Sequence, residues 1–199
     1  MPVGVPKLPY EMPEDEEEDA VWVDLYDRLY RERALFLFKD LSLETANHLV
    51  GLMIFLNIDD CSQEQFLFIN SPGGGIMNGL AVNNTINFVL PDVHTLGLGL
   101  AASMAAFVLA GGSQTKRIAF PNARVMIHQP KSSFSDGYLD DVIMDGNLML
   151  KLREEITNFF VQRSHKPFWV VFEDLERDVF LSPEEAKAYG IVDSVGIRA

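Results

Sequence analysis

Ser103 stands in a run of small residues, Gly97-Leu98-Gly99-Leu100-Ala101-Ala102-Ser103-Met104-Ala105-Ala106, and His128 follows in Met126-Ile127-His128-Gln129-Pro130, on what reads as the next strand but one. A serine hydroxyl is a weak nucleophile at neutral pH. It needs a neutral imidazole to accept its proton and, as a rule, a carboxylate to orient that imidazole. The best carboxylate candidate is Asp178, in Glu176-Arg177-Asp178-Val179-Phe180. Together these groups could perform acyl transfer. Residues 101–110 are rich in helix formers and follow a β-like segment at 93–98, so Ser103 is expected to open a helix. Amides of a first helical turn lack an intrahelical partner and carry the positive end of the dipole, which suits a developing oxyanion. A second donor could come from Ile69-Asn70-Ser71-Pro72-Gly73-Gly74-Gly75, where glycines permit close backbone approach.

Each of these residues also has a plainer reading. Ser103 could be only an N-cap, a position that serine favours. His128, one of four histidines, could be a satisfied core or surface residue. Asp178 shares an acidic cluster with Glu173, Asp174 and Glu176, a pattern typical of a solvated face. Spacing alone does not choose, because the members of a triad meet in space rather than in sequence.

Four runs taken together are more specific. Phe68-Ile69-Asn70-Ser71-Pro72-Gly73-Gly74, Gly99-Leu100-Ala101-Ala102-Ser103-Met104, Pro121-Asn122-Ala123-Arg124-Val125-Met126-Ile127-His128-Gln129-Pro130 and Glu176-Arg177-Asp178-Val179-Phe180-Leu181-Ser182 closely resemble the family of Clp protease proteolytic subunits, ClpP, in that family's order. The similarity spans roughly residues 20–195. It implies an α/β ClpP/crotonase-like fold of repeated β-β-α units with a long handle helix, and a triad of Ser103, His128 and Asp178. The amides of Gly74 and Met104 would form the oxyanion hole.

The resemblance also implies company for this chain: other ClpP-family subunits in two stacked heptameric rings, and a Clp/HSP100 AAA+ chaperone that uses ATP to deliver unfolded proteins. No cofactor is expected in the chain itself. Phe66 and Phe68 match aromatic positions of the cleft that receives the ATPase, while a buried strand face explains them equally well. Met1-Pro2-Val3-Gly4-Val5-Pro6-Lys7, Glu18-Asp19-Ala20-Val21-Trp22-Val23-Asp24 and Val161-Gln162-Arg163 look like the plastid-encoded form, which implies the chloroplast stroma, with a bacterial cytoplasm as the alternative. An acidic, Pro-rich start does not read as a transit peptide. Two rival functions remain open: a noncatalytic structural subunit of the same ring, and a crotonase-like acyl-CoA enzyme.

Composition bounds the rest. With 199 residues and 48% hydrophobic content, one sizeable core is expected and nothing points to two domains. The formal net charge of −13 argues against nucleic acid or an anionic membrane as partner. A single cysteine, Cys61, excludes an intrachain disulfide, and no Cys/His set has zinc-ligand spacing. Residues 93–115 carry no charged side chain and are about long enough to cross a bilayer, but glycines at 97, 99, 111 and 112 favour a buried strand and helix. Gly73-Gly74-Gly75 lacks the lysine of a phosphate-binding loop.

The positioning elements can be sketched from pattern. Residues 1–19, with four prolines and the run Glu14-Asp15-Glu16-Glu17-Glu18-Asp19, are expected to be a mobile acidic segment ahead of one domain at 20–199. A helix carries Leu25 and Leu29, and a strand covers 34–38. Ser42 caps a helix with Leu43, Ala46, Val50, Met53 and Asn57 on one stripe. Residues 65–70 read as a strand, 76–90 as a helix and 93–98 as a strand. The handle is placed at 131–164, with a loop, Lys131-Ser132-Ser133-Phe134-Ser135-Asp136-Gly137-Tyr138, that departs from the family's glycine- and glutamine-rich pattern. Its helix at 139–164 presents Val142, Met149, Leu152, Ile156 and Phe159, and Gly146 within it reads as a bend or a close contact. Ser182-Pro183-Glu184-Glu185 is a capping box, and Gly190 ends that last helix.

Overall fold

A two-stranded antiparallel ribbon, β1 (Lys7–Tyr10) with β2 (Val21–Asp24), leads into α1 (Leu25–Arg31). The computed structural model describes residues 4–10, 21–131 and 138–196. The acidic run at 14–19 lies outside them. Within the segment expected to be mobile, Lys7–Tyr10 pair with Val21–Asp24, and the Leu25 amide donates to the Pro6 carbonyl (3.0 Å).

The body alternates strands and helices: β3 (Ala34–Leu37), α2 (Leu43–Asp59), β4 (Gln65–Ser71), α3 (Ile76–Phe88), β5 (Val93–Ala102), α4 (Met104–Ala110), β6 (Arg117–Ala119), β7 (Arg124–Ile127), α5 (Leu139–Ser164), α6 (Phe168–Asp174), β8 (Val179–Leu181), α7 (Pro183–Tyr189) and β9 (Ser194–Val195). Parallel pairing runs β3-β4-β5-β6-β9, as expected when helices cross over between strands. β5 forks. Its first half pairs with β6 (Thr95 to Gly97) and its second half with β7 (Leu100 to Ala102), and within this sheet β7 pairs antiparallel with β8.

The fork needs a local device. β4 shifts register between Ile69 and Ser71, and the side-chain oxygen of Asn70 accepts the Leu100 amide at 3.0 Å in place of a ladder carbonyl. A Cβ at Gly99 would lie 2.5 Å from that oxygen, so any side chain there would displace the Asn70 amide from this bond. The tertiary ladder to β7 also explains why β5 runs to Ala102, four residues past the expected end, although Ala101 and Ala102 are good helix formers.

Several local expectations are met and some shift. The Ser42 hydroxyl accepts the Thr45 amide at 3.2 Å, and both halves of the Ser182/Glu185 capping box are made, with Gly190 at φ 92°. The buried stripe of α2 is Ala46, Leu49, Met53 and Leu56; Leu43 is exposed, because the sheet meets the helix about one residue round from the expected face. On α5 the buried side chains are Leu152, Ile156, Thr157 and Phe160, all in its second half. Gly146 has open space around its Cβ position, so a close contact does not explain it.

The core fills the space between the sheet and α2, α3, α4, α6 and α7, with Leu35, Leu37, Leu67, Ile69, Leu109 and Ile127 fully buried. One buried charge ties the far edge. Arg117 on β6 donates from Nε and a terminal nitrogen to the two Asp193 oxygens (2.9 and 2.6 Å) and from its other nitrogen to the Gly190 carbonyl (3.1 Å). Burial pushes the Asp193 carboxyl up, yet the hydrogen bonds and charge of Arg117 win and hold it below the usual range. Stability from this pair is therefore present above the unfolded carboxylate value, about 3.9, and is lost as pH falls through the lower folded value. Asp193→Asn is expected to cost about 2–4 kcal/mol at pH 7 in urea denaturation. The gap to wild type should close as the pH drops below about 4.

Candidate active site

Two strand registers bring the candidate residues together. β5 and β7 align Ala102 with Met126, and the Ser103 amide then donates to the Met126 carbonyl (2.8 Å), which sets Ser103 beside the residues that follow β7. β7 and β8 align Ile127 with Val179, so the next residue on each side, His128 and Asp178, also face each other although fifty positions apart. A second tie holds this end closed: the Gln129 amide donates to the Leu175 carbonyl (2.7 Å), and its side-chain amide donates to the Glu176 carbonyl (3.2 Å).

The resulting contacts are direct. His128 Nε2 lies 2.8 Å from Ser103 Oγ, and His128 Nδ1 lies 2.9 Å from Asp178 Oδ1. With the Nδ1 proton donated to the carboxylate, Nε2 is left to accept from the serine hydroxyl. His128 is largely buried, while the Asp178 side chain is 45% exposed. The hydrogen bond from His128, and after it one from Lys131 Nζ (3.1 Å), holds the Asp178 carboxyl below the usual range. The other acids of the cluster go elsewhere: Glu176 pairs with Arg153, and Asp174 with Lys166 and the Tyr189 hydroxyl.

Ser103 occupies the N-cap position of α4 but makes no side-chain cap. Its φ of 55° and ψ of −124° lie in a region that L residues rarely adopt. This sharp strand-to-helix turn aims Oγ at the imidazole instead of at the helix amides. The turn is clamped by α4, every residue of which is buried, with Phe107 against Phe159 of α5 at 4.0 Å between ring centroids.

The glycine loop abuts the same turn. Gly73 has φ 94°, and a Cβ on it would meet the Ala102 carbonyl at 2.5 Å, Ser103 Cβ at 2.9 Å and the Met104 nitrogen at 3.0 Å. On its other side the loop forms a parallel bridge to Leu41: the Leu41 amide donates to the Gly73 carbonyl (2.8 Å) and the Gly75 amide to the Leu41 carbonyl (3.2 Å). A bridge of this kind uses the groups flanking Gly74 and turns the Gly74 amide away from Leu41. Gly74, Ser103, Met104 and His128 all line one pocket of about 280 Å³, whose walls include Ile76, Phe107, Ile156 and Phe160.

Such a constellation suits acyl transfer. The family model for Clp protease matches residues 16–199. The chain belongs to the Clp protease family. It is similar along its whole length to curated proteins named ATP-dependent Clp protease proteolytic subunit: 57% identical to that of Panax ginseng over all of both chains, 57% to that of Cucumis sativus (99% of this chain, all of that one), and 57% to that of Marchantia polymorpha (all of this chain, 97% of that one). This Clp protease subunit is thus a proteolytic, serine endopeptidase-type chain, and membership implies an oligomeric protease with an ATPase partner. Its relatives are from plants, consistent with a plastid location. Among the described residues no helix is long and apolar enough to cross a membrane; residues 93–115 hold β5 and α4.

Phe66 and Phe68 lie on the half-buried face of β4, alternating with the buried Gln65, Leu67 and Ile69. Phe66 stacks on His94 (4.6 Å) and Phe68 on Phe36 (5.5 Å), so they are neither core nor free. Two features of the site were not singled out in the sequence. Lys131 shares Asp178 with His128, and its signal was only its position three residues after the histidine. Gly73, rather than its neighbour, carries the positive φ, and the run of three glycines did not distinguish them.

With φ at 55°, Ser103→Gly should be more stable than Ser103→Ala by about 1 kcal/mol, since both lose the hydroxyl and only glycine adopts this φ freely. Urea denaturation of the two variants measures this. An alanine variant at least as stable as the glycine one would show that no strain resides there.

Proposed function

We propose that Ser103, His128 and Asp178 are the catalytic triad of a caged endopeptidase. The observation that carries the reading is the continuous hydrogen-bonded relay, 2.8 Å from Ser103 Oγ to His128 Nε2 and 2.9 Å from His128 Nδ1 to Asp178. Ser103 Oγ attacks the peptide carbonyl as its proton passes to His128 Nε2. The oxyanion is held by the amides of Gly74 and Met104. Collapse expels the amine, which takes the proton from His128, and leaves an acyl-serine. Water, deprotonated by His128, then attacks that ester; its second intermediate releases the acid and returns the proton to Ser103. Asp178 stays ionised throughout and stabilises the imidazolium.

This chain works, on the same reading, within two stacked seven-membered rings of ClpP-family subunits in the chloroplast stroma. It needs no cofactor of its own; ATP is used by a Clp/HSP100 AAA+ partner that unfolds substrates and docks near Phe66 and Phe68. Support for docking comes from an adjoining aromatic cleft lined by Tyr26, Tyr30, Phe36, Phe38 and His48. Ring stacking through the handle is supported by Leu139, Ile143, Met144, Leu148 and Leu150, each more than half exposed on α5.

Intact-mass labelling of the purified assembly with a fluorophosphonate should give one adduct, absent from Ser103→Ala, together with a loss of peptidase rate of at least about 10³-fold. A verified assembly that takes no adduct, with or without the ATPase, would favour the noncatalytic subunit. Turnover of a CoA thioester but not of a fluorogenic peptide would favour crotonase-type chemistry.

A further inference from the structure

We infer that Lys131 is a positioning residue for the catalytic base: its ammonium holds the same Asp178 oxygen that orients His128, so the carboxylate on which the imidazole depends is fixed and partly neutralised. The inference rests on the triad reading above.

The geometry is specific. Both His128 Nδ1 (2.9 Å) and Lys131 Nζ (3.1 Å) reach the same oxygen, Oδ1, of Asp178. In a triad without such a lysine, the imidazolium forms next to a full negative charge. Here it forms next to a carboxylate already paired with an ammonium, and the ammonium lies within about 6 Å of the ring nitrogen. The lysine is tied to the base through the chain as well as through space. Pro130 and the backbone of Gln129, whose amide is fixed on Leu175, separate it from His128. The remaining charged groups facing this end do not duplicate its effect. From α5, Arg153 is engaged by Glu176 and lies over the Phe172 ring at 3.7 Å; Arg177, next to Asp178, is exposed. Lys131 also lines the pocket beside Ser103 and His128.

A general base works only when neutral, so the acid limb of the activity profile senses the charge placed around it. Removing the nearby ammonium is expected to move that limb to higher pH. For a charge at this separation in a water-exposed setting the shift is about half a pH unit. The experiment is the pH profile of kcat/KM for a fluorogenic peptide, with the assembled enzyme carrying Lys131→Met, Lys131→Arg or Lys131→Glu. The acid limb is expected to move up by about half a unit in the Met variant and further in the Glu variant, and to return to its wild-type place in the Arg variant. Raising the salt to about 0.5 M should narrow the spread, since the lysine is 66% exposed.

Superimposable acid limbs in all four proteins would overturn the inference while leaving the triad intact. So would a loss of rate that is uniform across pH, which marks a merely structural contact. Failure of the triad itself is distinguishable: the wild-type assembly would then take no fluorophosphonate adduct at Ser103.

Discussion

Everything at the site depends on where β7 sits. It is a four-residue strand with a parallel neighbour on one side and an antiparallel one on the other. The parallel register carries the end of β5 to the end of β7, and the antiparallel register brings the start of β8 back to the same point. Ser103, His128 and Asp178 are the residues just beyond those three strand ends. Side chains alternate along a strand, so a slip of one residue in either register would turn a neighbour into the site and carry the reacting group to the other face. The buried Val125 and Ile127 set against that slip, because they would exchange places with Met126 and Arg124, which are not buried.

That constraint explains why strain and glycine collect at one spot. β5 ends beside β7 at Ala102 and α4 begins at Met104, so the whole strand-to-helix turn falls on Ser103, whose φ is 55°. The buried walls of α4 hold the turn, with Ala105, Ala106 and Val108 fully enclosed. Gly73 must then pass within van der Waals contact of the turn, where neither its φ nor the space admits a side chain. The pocket is lined where this crowding occurs, by Gly74, Ser103 and Met104 together.

Much of this was legible and some was not, for a consistent reason. The bounds of α5, the capping box at Ser182 and the stop at Gly190 rest on interactions within a few residues, so pattern reveals them. The motif around Ser103 and the one around His128 were legible as chemistry, and the resemblance to a family joined them to Asp178. What spacing could not supply was the β7 to β8 pairing, which is antiparallel in an otherwise parallel sheet and crosses the whole of α5. The extension of β5 into Ala101 and Ala102 was hidden because a ladder overrode local helix preference. The β1–β2 ribbon was hidden because backbone bonds, not burial, hold it. Lys131 was read only as the start of a loop, since nothing in the sequence says which way a surface lysine bends.

The same contrast accounts for the handle helix. None of the described side chains in the first half of α5, up to Lys151, is buried, yet that half carries Leu139, Ile143, Met144, Leu148 and Leu150 in exposed positions. A helical stretch without a packed face draws little stability from propensity alone, and glycine at 146 lowers it further. Isolated exposed leucines are ordinary on a protein surface, but a run of apolar side chains over three turns of one helix is not. The second half, by contrast, is anchored by the buried Leu152, Ile156 and Phe160, and the last two form walls of the pocket. One helix therefore joins a surface that the single chain leaves uncovered to the walls of the pocket that holds Ser103.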